Sequence, residues 1–235
     1  MSSRQEEKER RRRERQEREE AEARRAARRK RMQLAFGGLL AAAAIAGIVV
    51  AVVVATGGGG KGKPKAVSDA AAEAKLPQQQ VSDIKDAAKA AGCTLSNPAY
   101  EGATHEQKTF KPSDYKTNPP TSGNHTPTWY EDGIYAPGDV PNLGKLVHPL
   151  EHGRIDIQYK PGTPATTVAQ LETLYNEMDG GHHLLLFQNE TKMPFAVAAT
   201  AWDHQLGCPT MNDKVFDAIR AFRTEYIDKG PEIVP

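Results

Sequence analysis

Seven histidines lie from residue 105 to residue 204, and two of them carry a recognisable spacing. His148-x-x-Glu151-His152 puts two imidazoles and a carboxylate within five residues. If that stretch is helical, His148 and His152 share a face at i,i+4 and can hold one ion, with Glu151 beside them. The string also matches the inverted zinc-peptidase pattern, in which the glutamate is the base. Those motifs sit on long helices, whereas here Gly153 and a strand follow at once, so the segment reads as a single tight turn from His148 to Gly153. His125 ends a Pro119-Pro120-Thr121-Ser122-Gly123-Asn124 loop, in which Gly123 permits a tight turn. That loop can fold back and bring His125 to His148 and His152, making the three protein ligands of an open zinc site. Extracytoplasmic copper can use the same imidazoles. His105 and Glu151 are further candidate ligands. The bland alternative is that these side chains only bond each other or the backbone.

The elements that must position these residues read as follows. Ser82–Ala91 is a helix with Ser82 as cap and Gly92 as stop. Asn97–Ser122 is an extended polar loop. Arg154–Tyr159 alternates polar and apolar and is a strand. Thr166–Met178 is a helix with Val168, Leu171, Leu174 and Tyr175 on one stripe. His183–Phe187 and Phe195–Trp202 are strands, with His182 and His183 expected to point to opposite faces. Asn212–Tyr226 is an amphipathic helix. The order predicts an α+β fold, a mostly antiparallel sheet with helices on one face.

The N-terminal third sets where this domain works. Leu34–Ala55 holds 22 residues with no charge and no proline. At about 1.5 Å per residue a helix of that length crosses the hydrocarbon layer. The basic run Arg24–Arg31 precedes it, so the N-terminus is expected in the cytoplasm and the domain outside. A cleaved signal peptide is the rival reading, but its n-region would be 31 residues long. Residues 1–31 carry 14 basic and 8 acidic side chains, and the remainder of the chain carries 17 and 22. The basic tail suits the anionic lipids of the inner leaflet. It has no aromatic residue for base stacking, which argues against nucleic acid. The expected organisation is a charged cytoplasmic tail (1–31), a transmembrane helix (32–56), a flexible Gly-rich linker (57–80) and an extracytoplasmic α+β domain (81–235). Cys93 and Cys208 are the only cysteines. In an oxidising compartment they read as one disulfide, the alternative being a pair of thiolate metal ligands.

Ala90-Ala91-Gly92-Cys93, Tyr115, Pro119-Pro120-Thr121-Ser122-Gly123-x-His125, Gly133-x-Tyr135 and Leu146-Val147-His148-x-Leu150-Glu151-His152-Gly153 together resemble the bacterial domain of unknown function family 3105. Thr200-Ala201-Trp202, Leu206-x-Cys208 and Lys229-Gly230-Pro231-Glu232 fit as well. The resemblance covers Ala87 to Glu232 and implies an N-terminal anchor. Pro149 departs from it, standing where asparagine is expected. The resemblance implies no reaction. The functional expectation is therefore a membrane-anchored domain that binds copper or zinc. A metal-dependent hydrolase with Glu151 as base, or a cell-envelope interaction module without a site, are the alternatives.

Overall fold

The structure is a computed structural model, and it describes residues 62–232. The tail, the expected membrane span and the start of the linker lie outside the described residues. Among the described residues no helix is long and apolar enough to cross a membrane.

Among the described residues the short helix α1 (Asp69–Glu73) comes first, capped by the Ser68 side chain. Helix α2 (Ile84–Ala91) and strand β1 (Thr94–Ser96) follow. A long irregular stretch leads through β2 (Gly133–Ile134) to helix α3 (Leu143–Glu151). Then come β3 (Ile155–Tyr159), α4 (Ala165–Glu177), β4 (Leu184–Gln188), β5 (Val197–Ala201), β6 (His204–Cys208) and α5 (Lys214–Tyr226). The six strands form one sheet in the order β1-β6-β5-β3-β4-β2.

The fold is α+β, but its sheet is mixed. The pairings β1/β6, β6/β5 and β5/β3 are antiparallel, whereas β3/β4 and β4/β2 are parallel. Parallel neighbours need a crossover, and α4 supplies it between β3 and β4. Helices also cover both faces, not one. Ile155, Ile157, Leu184, Leu186 and Leu206 pack against Ala87 of α2, Leu171 and Leu174 of α4, and Phe216 and Phe222 of α5. On the opposite face Leu185 and Phe187 pack against Leu146, Val147 and Leu150 of α3. The run Leu184-Leu185-Leu186-Phe187 is apolar without alternation because both its sides are covered. Asp156 and Gln158, which make β3 look half-solvated in sequence, are buried beneath this second layer. Gln158 is held there by Thr200 and Asn189.

Other boundaries shift too. The cap of α2 is Asp83, which accepts from Lys85 N and Asp86 N, while Gly92 ends the helix in the left-handed conformation. Residues 62–80, expected within a flexible linker, are folded onto the domain. Lys65 pairs with the buried Glu172 at 2.6 Å, and the same carboxylate accepts from Ser68 N. Cys93, just after α2, and Cys208, at the end of β6, form a disulfide with their Cα atoms 4.2 Å apart. The thiolate-ligand alternative is thereby set aside.

Candidate metal centre

The turn expected at His148–Gly153 is the end of a longer helix. Asn142 caps α3 through Lys145 N, and the helix continues to Glu151 despite Pro149 inside it. Proline has no N–H to give to the carbonyl four residues back. Here that carbonyl, Lys145 O, accepts from Tyr130 N at 3.3 Å instead. The break is thus used to tie the 120s loop to α3. His148 and Glu151 are both buried at the helix end, and His152 is its C-cap.

The long loop supplies the other side. Segments around His105 and His125 run alongside each other, with Glu106 N donating to His125 O and His125 N to Thr104 O. Gly123, at a φ of +125°, shapes the approach. His125 Nδ1 then donates to Gly123 O at 2.8 Å, and His148 Nδ1 to Thr126 O at 2.6 Å. A ring whose Nδ1 carries the proton keeps a lone pair on Nε2. Backbone carbonyls fix metal-ligating histidines in this way in many sites.

One potential ligand atom from each of His105, His125, His148 and Glu151 lies within 4.8 Å of every other. Glu151 Oε2 is 3.1 Å from His125 Nε2 and 3.3 Å from His105 Nε2. Bond lengths of about 2.0–2.2 Å around a tetrahedral ion separate its ligands by roughly 3.3–3.6 Å; the His105 pair stands at that spacing and the His125 pair slightly inside it. Among the described residues neither His125 Nε2 nor Glu151 Oε2 has a hydrogen-bond partner, although the two stand 3.1 Å apart. Two buried, unpartnered atoms of this kind are costly unless something lies between them. These groups could hold a metal ion.

The surroundings favour neutral imidazoles. Burial lowers the proton affinity of His125, and the neighbouring His105 lowers it further. Burial does the same to His148, opposed in part by the bond to Thr126. Burial and then the charge of Glu232 push the Glu151 carboxyl up, against the pull of His105. The aromatic rings of Trp129 and Trp202 close the walls, with centroids 4.9 Å from His148 and 6.1 Å from His125 respectively. His105 is the exposed edge of the cluster, its side chain 40% accessible.

His152 does not join that group of four. Its Nε2 lies 3.1 Å from His148 Nε2 and 3.5 Å from Glu232 Oε2, and it clusters with Glu151 and Glu232. Glu232 stands in the matched motifs of the sequence but is not among its candidate ligands. Only a contact with His152, 80 positions away in the chain (232 − 152), reveals it. The remaining histidines lie elsewhere. His183 has a φ of +54°, which breaks strand alternation, so its ring stacks on His182 at 3.9 Å beside Asp228 instead of opposing it. His204 begins β6, bonds Asn97 and stacks on Tyr226. A concavity of about 570 Å³ lies between Glu73–Lys75 and α4, and no histidine lines it.

With this geometry in view, comparison with known proteins gives one match. The model of the family described as protein of unknown function (DUF3105) fits residues 105–234, more than half of the chain. The chain belongs to this family. The matched region starts at His105 and so includes all five clustered histidine and glutamate residues together with Glu232. No curated protein and no solved structure matches the chain.

Proposed function

We propose that this domain binds a transition metal ion, copper or zinc, through His105, His125, His148 and Glu151. We place it on the outer side of a membrane, anchored by residues 34–55. The observation that carries the reading is how the imidazoles are fixed. His125 and His148 each commit Nδ1 to a backbone carbonyl, which leaves a lone pair on each Nε2; that of His125 is unpartnered beside the unpartnered Glu151 oxygen, and that of His148 faces His152 Nε2 at 3.1 Å. Three imidazoles and a carboxylate suit either metal.

Binding is favoured over hydrolysis. A hydrolase with Glu151 as base needs that carboxylate free of the ion, yet its oxygen lies 3.1 and 3.3 Å from two imidazole nitrogens. Four protein donors also fill a tetrahedral ion and leave no position for an activated water. An interaction module with no site leaves the buried unpartnered atoms unexplained. The test is titration of the full-length chain in mild detergent with Zn²⁺ and Cu²⁺. His125→Ala and His148→Ala should lose most of the affinity, and His204→Ala, away from the cluster, should keep it. Equal affinity in all four proteins overturns the reading.

A further inference from the structure

We infer that the centre takes two cations side by side, with Glu151 bridging them and Glu232 completing the second site. This deepens the metal reading above and rests on it. The two groups of ligand atoms share one residue: His105, His125, His148 and Glu151 on one side, and Glu151, His152 and Glu232 on the other. A carboxylate has two oxygens and can serve two ions, and paired metals in proteins stand about 3.5–4 Å apart.

Three further observations support a second ion. His152 is 5% exposed, and its Nε2 faces both His148 and Glu232. Two imidazole nitrogens 3.1 Å apart can share a single proton, or each can ligate its own cation. A carboxylate oxygen of Glu151 and one of Glu232 lie within 4.8 Å of each other, and a divalent ion between them removes the repulsion of two like charges at that distance. Finally, the position of Glu232 is built. Its backbone N–H donates to Glu151 O at 3.0 Å, and Asp228 N donates to Gly153 O at 2.9 Å. Between these bonds Gly230 lies directly on the backbone of Glu151 and Gly153, where a Cβ has no room. The C-terminal segment is therefore locked against the helix end that carries both histidines, and it delivers one carboxylate there. Glu232 is half exposed, so the second ion sits toward solvent and the first deeper in the protein.

The experiment counts metal. Full-length chain in mild detergent is loaded with Zn²⁺, freed of excess and analysed for zinc per chain by native mass spectrometry and elemental analysis. Wild type should hold two equivalents, Glu232→Gln and His152→Ala one, and His125→Ala at most one. Glu232→Gln alters a half-exposed side chain, so circular dichroism should show it folded like wild type. One equivalent in wild type and in Glu232→Gln alike overturns the second ion and leaves the single-metal reading standing. No bound zinc in wild type overturns both.

Discussion

Gly230 packs backbone to backbone on Gly153, with Glu151 O and Gly153 N occupying the space where a side chain would begin. Gly230→Ala must push the C-terminal segment away. The expected cost is about 1–3 kcal/mol, the usual range for forcing atoms into a packed site. Chemical denaturation measures it, and a variant as stable as wild type contradicts the contact. Zinc stoichiometry should fall by one equivalent in the same variant, because Glu232 moves with the segment.

The histidines make metal-free stability depend on acid. His152 titrates at about 4, held down first by burial, then by His148 and Arg154. An unfolded histidine titrates near 6.5. Below that value the unfolded chain takes up a proton that the folded protein refuses. The stability this group contributes is therefore complete above about pH 6.5 and is lost as pH falls toward 4, by roughly 3 kcal/mol at full extent. Unfolding of wild type and His152→Gln, measured at pH 7, 5.5 and 4 with chelator present, should show the gap between them change in that window. A pH-independent gap refutes the neutral buried imidazole.

Asp156 works in the opposite direction. It is fully buried on β3 with Oδ1 unpartnered, and burial followed by the charge of Asp132 raises its proton affinity well above the ordinary carboxylate range. Its folded form keeps a proton that the unfolded chain has released. Stability from this group is present at low pH and declines as pH rises. Asp156→Asn, which cannot ionise, should gain thermal stability relative to wild type as pH is raised from 5 to 8. A constant difference in Tm over that range counts against the assignment.

The proposed topology has a direct readout. With Arg24–Arg31 retained in the cytoplasm, a reporter enzyme fused after Pro235 that works only outside the membrane should be active. Activity of a cytoplasm-only reporter at the same position reverses the orientation.

Much of the fold is written in local pattern. The stripes of Leu171, Leu174 and Tyr175 on α4 and of Val215, Ile219 and Phe222 on α5 are legible because a 3.6-residue period repeats over three turns. Helix α3 is obscured because Pro149 and Gly153 are both helix-breaking signals. The bond that makes Pro149 tolerable comes from Tyr130, which no local rule can name. β6 has the sequence His-Gln-Leu-Gly-Cys, whose character is set by pairing with β1 and β5 and not by alternation. At the site, His125, His148 and Glu151 are visible as residue types at suggestive spacing. The partnership of His105 with His125 depends on one short pairing across a 20-residue loop, and Glu232 reaches His152 only through two glycines in contact.

The disulfide joins residues 115 positions apart, and this has a topological meaning for the centre. His105, His125, His148, Glu151 and His152 all lie on the closed ring of chain between Cys93 and Cys208, whereas Glu232 lies on the open tail beyond it. A protease that trims the tail leaves the ring whole: the inner ion keeps every ligand and the outer one loses its carboxylate. A single cut within the ring still leaves both halves of the inner site on one covalent molecule until the bridge is reduced.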